Sequence, residues 1–356
     1  MSVNVLIASP YLSTLRGNSL TTLRIIHYLN KLNINAQSID YNDCNINVCS
    51  QVVDNCDVIH ILNPVRYLIS EMYRAKLHIG KNYGITFTGT DVNMHLDADN
   101  IELKNLLKSA NFVAVFHEQS YQKVLEVFPE LQPNLHIVYQ GFFASIERYN
   151  NLEVNNKNTI KNENLLIKKI KELQEDGDIV AILPAGIRKV KGVTHAIKLI
   201  GKYIRESGNQ IKLLIVGPVI EAEEMKSINV LISSLDYVHY YNEMPHSQLL
   251  EAIKQADILL NSSESEGQSI AIIEAFYLGT PVIASRCVGN EQMIEHNING
   301  FLYDTYGQFF EALNIVINDS DKVDIITKTA YEQAVINYSA EKEAQKYLSL
   351  YINGSV

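Results

Sequence analysis

Residues 257–285 read DILLNSSESEGQSIAIIEAFYLGTPVIAS, and the parsing of that stretch decides the fold. DILLNSS is a short apolar run that closes on small polar residues, and PVIAS is a second apolar run. Between them, Ser269–Leu278 reads as a helix, stopped by Gly279 and then by Pro281. Strand, helix, strand is the unit from which parallel α/β sheets are built. The same helix poses a problem. Glu274 lies among Ile270, Ile272, Ile273 and Ala275, where a carboxylate is costly unless something compensates it.

The pattern repeats outward from there. Upstream, NVLIAS (4–9), NAQSID (ending at Asp40), DVIHIL (57–62), 83–88, FVAVFH (112–117) and LHIVYQG (135–141) read as strands, with a helix over about Ser19–Leu32. Residues 144–165 are rich in Asn and charge and poor in apolar residues, which marks a linker. Alternation then resumes with DIVAILPAG, a helix from Val193 to Arg205, IKLLIVG, VHYYNEM and a helix over His246–Gln255. The expected fold class is α/β, with two Rossmann-like doubly wound domains facing a central cleft. The first domain is 1–150 with a returning C-terminal helix at 336–356, and the second is 165–335. Ligands of such sheets lie beyond the carboxyl ends of the strands.

Composition narrows the function. A chain of 356 residues with 47% hydrophobic and 20% charged residues is that of a globular protein with room for two cores. A formal net charge of −10 argues against a phosphate-neutralising nucleic-acid binder. No apolar run approaches the roughly 20 residues of a membrane span. The N-terminus lacks a basic region, so no signal peptide and a cytoplasmic location are expected. Cys44, Cys49, Cys56 and Cys287 form no C-x-x-C pair and accompany no His cluster. They read as reduced thiols, with a Cys44–Cys49 disulfide as the alternative.

Polar residues gather at strand ends in the second half. Arg188, Lys189 and Lys191 follow one strand, Gly217 another, and Glu266, Gly267, Gln268 and Ser269 a third. The last four open a helix, whose free N–H groups and dipole favour a phosphate. Arg188 and Lys191 add full positive charge. Glu266 and Glu274 are acceptors suited to paired hydroxyls. Phosphate donors and hydroxyl acceptors on one rim describe a site for a nucleotide-sugar. Glu264 reads as a solvated loop carboxylate, and His60 and His117 as structural.

NSSESEGQSIAIIEAFYLGTPVIAS resembles the E-x7-E segment of retaining GT-B glycosyltransferases of the group 1, or family 4, type. Glu266 and Glu274 hold the two Glu positions, and Gly267, Ala275, Gly279, Pro281 and Val282 fill the pattern around them. LPAGIR and GTDVN are similar to the proteins named glycosyltransferase 1 domain-containing. The resemblance spans essentially the whole chain and is strongest over 180–304. It implies that Glu274 binds the ribose, Glu266 the donor sugar, and Arg188 with Lys191 the diphosphate leaving group. It implies retention, no metal and no cofactor beyond the nucleotide-sugar co-substrate. Gly17 and Asn18 of the first domain are expected at the donor's phosphate, and Asp91 is expected to orient the acceptor or the donor sugar. The class of the acceptor is left open by this reading: saccharide, lipid, protein or small molecule. No nucleic-acid partner or transmembrane segment is implied.

Two departures stand out. The family motif runs G-R-x-x-x-x-K-G, whereas this chain has Gly186-Ile187-Arg188-Lys189-Val190-Lys191-Gly192, so either Arg188 or Lys189 can be the partner of Lys191. Thr88 stands where many members carry a histidine, and His117, at the end of the next strand, is the alternative candidate for that role. An epimerase or hydrolase, or a non-catalytic nucleotide-sugar binder of the same fold, is the alternative function. The absence of G-x-G-x-x-G after the first strand disfavours a dinucleotide enzyme.

Overall fold

A computed structural model describes residues 3–12, 17–89, 91–92, 95–142 and 165–353. The expected linker lies outside the described residues, except for Leu165, which begins a helix. The chain divides into two compact units, Met1–Phe142 with Asn337–Val356, and Phe143–Ile336. Each is built on a six-stranded, wholly parallel sheet.

In the first unit the strands are β1 (Asn4–Ser9), β2 (Asn35–Asp40), β3 (Val58–Leu62), β4 (Asn82–Thr86), β5 (Phe112–Val115) and β6 (Leu135–Ile137). Their spatial order is β2-β1-β3-β4-β5-β6. The central strands are buried on both faces, which is why β3 reads VIHIL without alternation. The helix Gly17–Lys31 follows β1, and Gly17 is its first residue.

The helix Ala340–Asn353 belongs to this unit and is held there by buried polar contacts. Arg24 Nε and Nη2 donate to Glu343 Oε2 and Oε1 at 2.6 and 3.0 Å. His60 lies 2.8 Å from Tyr351 Oη through Nδ1 and 2.7 Å from Thr86 Oγ1 through Nε2. Burial pushes His60 down to about 3, so it is a neutral core residue. Gly141 lets the chain pass close to the start of the helix, since a Cβ there would lie 2.4 Å from Ala340 Cα.

The Cys44 and Cys49 sulfurs are bonded, and Cys56 and Cys287 are free and buried. The pairing corrects the reading of all four as reduced thiols. A spacing of five residues lets the first turn of the helix Ile46–Asp54 bring the two side chains together.

The second unit contains β7 (Ile179–Pro184), β8 (Ile211–Val216), β9 (Val238–Tyr241), β10 (Ile258–Asn261), β11 (Val282–Ser285) and β12 (Phe301–Tyr303). The order β12-β11-β10-β7-β8-β9 places the reversal of strand order between β7 and β10. The helix Ile270–Leu278 connects β10 to β11, which pair in parallel, as the opening stretch implies. Among the described residues no helix is long and apolar enough to cross a membrane.

Candidate active site

A doubly wound sheet binds its ligand where the strand order reverses, because the loops on either side diverge there. In the second unit these are the loops after β7 and β10. Lys191 comes from the first and Glu266 from the second.

Backbone contacts draw the two loops together. Ser262 Oγ donates to Lys191 O at 2.8 Å, and Glu264 N donates to Val190 O at 2.9 Å. Gly192, at φ 60°, is required at this approach, for a Cβ would lie 2.2 Å from Ser262 O. Gly289 plays the same part on the other side, where a Cβ would lie 2.2 Å from Gly267 O.

Lys191 Nζ meets Glu266 Oε1 at 2.5 Å. Ser263 Oγ donates to the same oxygen at 2.7 Å, and Asn261 Nδ2 lies 3.4 Å from it. Burial raises the Glu266 carboxyl, but the Lys191 charge and these hydrogen bonds outweigh it and hold the group below its ordinary value. Three donors converge on Oε1, which leaves the other oxygen as the natural acceptor for a ligand hydroxyl. Asn261 is itself fixed: its Oδ1 accepts from Ser263 N at 3.1 Å and from Asn290 Nδ2 at 3.2 Å.

Ser269 caps the helix Ile270–Leu278 by position without a side-chain hydrogen bond to its N–H groups. Its Oγ accepts instead from Asn261 Nδ2 at 3.2 Å. The start of the helix is thus open to an anion, and Gly267, Gln268 and Ser269 lead into it.

Arg188 and Lys191 are half-buried, whereas Lys189 is exposed and its backbone N–H donates to Glu221 at 2.9 Å. Arg188 Nε is buried with no hydrogen-bond partner among the described residues. A buried donor of that kind is uncommon and suits an anion. Gly217, at φ 155°, lies where the loops after β7 and β8 cross, and a Cβ there would meet Ala185 O at 2.1 Å. Its demand for glycine is therefore met within the protein itself. Glu264 is exposed.

Glu274 is 2% exposed, and the side chain that faces it is that of His246, the first residue of the helix His246–Gln255. Nε2 of His246 and Oε1 of Glu274 are 2.8 Å apart, at ion-pair distance without the alignment of a hydrogen bond. Sequence reading assigns no role to His246, Asn261, Ser263 or Asn290. The signal available is position, since His246 opens a helix just after β9 on the same rim.

Gly17, Asn18 and Asp91 belong to the first unit. Gly17 is exposed with open space where a Cβ would stand, and Asn18 O accepts from Thr22 Oγ1 at 2.9 Å. Asp91 is fully buried and accepts backbone N–H groups of Thr88, Gly89 and Val92 at 2.8–3.1 Å. Burial raises its carboxyl to about 6 against these bonds, which lower it. His117 caps the helix Glu118–Val127 by accepting from Ser120 N, and burial, with the Lys123 charge, lowers it to about 4. Among the described residues no three His, Cys, Asp or Glu side chains gather as a metal site.

Two parallel sheets of this kind, with carboxylates and cations at the switch point of the second, define a GT-B architecture. The Anabaena Alr3699/HepE structure in complex with UDP-glucose superposes with a TM-score of 0.74 at 17% identity, covering 97% of this chain and 98% of that one. Residues 166–333, within the second unit, match the family model described as Glycosyl transferases group 1. The chain is 26% identical over 355 residues to Glycosyltransferase 1 domain-containing protein 1 of Xenopus tropicalis, covering 96% of each. It is 24% identical over 339 residues to N-acetyl-alpha-D-glucosaminyl L-malate synthase of Bacillus anthracis, covering 91% of this chain and 83% of that protein.

Proposed function

We propose that the protein transfers a sugar from a nucleotide-sugar to an acceptor hydroxyl, with retention at the sugar carbon and without a metal ion. The observation that carries the reading is the meeting of Lys191 with Glu266 beside the open start of the helix Ile270–Leu278. The UDP and UDP-glucose complexes of Anabaena HepE support a nucleotide-sugar as the donor.

The donor diphosphate lies on the N–H groups that follow Gly267, with Gln268 and Ser269 shaping the approach and Gly217 on the neighbouring loop. As the bond to the sugar breaks, negative charge grows on the departing phosphate. Arg188 and Lys191 stabilise that charge more than they stabilise the bound donor, which is what lowers the barrier. Lys191 leaves Glu266 for the phosphate, and Glu266 turns its acceptors to the sugar hydroxyls. Glu274 takes the ribose. Gly17 and Asn18 are assigned to donor binding, and Asp91 acts by fixing the turn at Thr88–Gly89.

The test is incubation with UDP-, GDP- and ADP-sugars, with and without candidate acceptors and with and without EDTA. Release of nucleoside diphosphate that depends on acceptor and survives EDTA, with the anomeric configuration kept in the product, supports the reading. Free sugar or an epimer formed without acceptor supports the hydrolase or epimerase alternative. Binding without turnover of any donor supports the non-catalytic one.

A further inference from the structure

Glu274 contributes a carboxylate that is almost wholly enclosed, on a helix whose neighbouring residues Ile272, Ile273, Ala275 and Phe276 are at most 1% exposed. Packing restricts the side chain of such a carboxylate, but a polar neighbour decides which of its oxygens is left for a ligand, and a carboxylate turned from the ligand costs affinity. The polar neighbour here is His246, at ion-pair distance without the alignment of a hydrogen bond. Its ring nitrogen stands 2.8 Å from Oε1, with the side chain 11% exposed. It projects from the start of a different helix, which packs against the helix of Glu274.

We infer that His246 is a positioning residue for the donor: it compensates Glu274 through Oε1 and keeps the carboxylate turned to receive a ribose hydroxyl on its other oxygen. The inference rests on the ribose role of Glu274 proposed above. It assigns to His246 no contact with the reacting atoms, so its loss acts on donor affinity and leaves the chemical step largely intact. The position also ties affinity to the loop that follows β9, because His246 begins its helix directly after Pro245.

The experiment measures UDP, GDP and ADP binding by calorimetry, and donor KM and kcat, for wild type, His246→Ala, His246→Gln, Glu274→Ala and the His246→Ala/Glu274→Ala double variant. Gln keeps an N–H of similar reach. His246→Ala is expected to weaken nucleotide binding and raise donor KM about 10-fold, roughly 1.4 kcal/mol, with kcat within about 3-fold of wild type. His246→Gln is expected to recover most of that loss, and the double variant to bind no worse than Glu274→Ala alone. Wild-type affinity in both His246 variants overturns the inference while leaving the donor reading intact if Glu274→Ala still abolishes binding. Equal loss in the Ala and Gln variants, tracking an equal fall in Tm, shows a merely structural contact and also overturns it. Failure of the wild type to bind any of the three nucleotides overturns the inference and the donor reading together.

Discussion

Lys191 Nζ stands 2.5 Å from Glu266 Oε1 with the two side chains 17% and 11% exposed, so each charge is largely withdrawn from water and answered by the other. Arg188, in the same loop, makes no ion pair among the described residues. Under the proposed leaving-group clamp, the two cations therefore separate stability from catalysis. Lys191→Ala leaves Glu266 with only Ser263 and Asn261, and is expected to cost about 1–3 kcal/mol of stability as well as ~100-fold or more in turnover. Arg188→Ala is expected to lower turnover comparably with little change in Tm. Urea unfolding and steady-state kinetics on both variants check this, and wild-type turnover in both would remove the leaving-group clamp.

Gly289 tests the loop that carries Glu266. A Cβ at this position would lie 2.2 Å from Gly267 O and 2.5 Å from Glu266 O, so backbone has to move to admit alanine. Gly289→Ala is expected to raise donor KM about 10-fold or more by displacing that loop. Gly208, at φ 76° with open space around it, is the control. Gly208→Ala is expected to cost about 1 kcal/mol in stability through backbone strain, with donor KM unchanged. A Gly289→Ala enzyme with wild-type KM would show that the loop can yield without consequence for the donor.

The alternation of short apolar runs with helices made the α/β class legible, because strands buried on both faces have no other sequence form. Ile270–Leu278 was legible for the same reason, its Gly279 adopting φ 74° as a helix stop. The three-residue β12, FLY, was not, since so short a run carries no periodicity to detect. The order of strands was equally hidden, because pairing β7 with β10 depends on contacts far apart in the chain. Of the site, residue types on strand ends could be read, but not their partners. Lys191 and Glu266 are 75 positions apart, and nothing local to Glu274 announces His246. The bonded Cys44 and Cys49 illustrate the converse, since their spacing permitted a bond without demanding one.

Arg24 and Glu343 form a bidentate pair with side chains 1% and 0% exposed, joining the helix Gly17–Lys31 to the helix Ala340–Asn353. Removing one partner strands a buried charge. Glu343→Ala is expected to cost about 3–5 kcal/mol, whereas Arg24→Met with Glu343→Leu is expected to cost much less or nothing. Denaturant unfolding of the single and double variants measures the difference. A double variant as unstable as the single one would show that packing, and not the stranded charge, dominates.

Asp91 provides a pH-dependent prediction whose sign can be worked out. Its carboxyl stands at about 6 in the folded chain against an ordinary value of 3.8. Between those values the native state holds a proton that the unfolded chain has released, so stability falls as pH rises through the window. The contribution of this group is full below the unfolded value and lost above about 6. Asp91→Asn cannot titrate and lacks the effect. On lowering the pH from ~7.5 to ~5, wild type is expected to gain about 1.4 kcal/mol relative to Asp91→Asn, the worth of about one pH unit of proton uptake. Urea unfolding of both proteins at the two pH values measures it. The opposing forces are burial, which favours the proton, and the N–H groups of Thr88, Gly89 and Val92, which favour the anion. A stability gap that does not change with pH would mean that the backbone bonds win and Asp91 is ionised throughout.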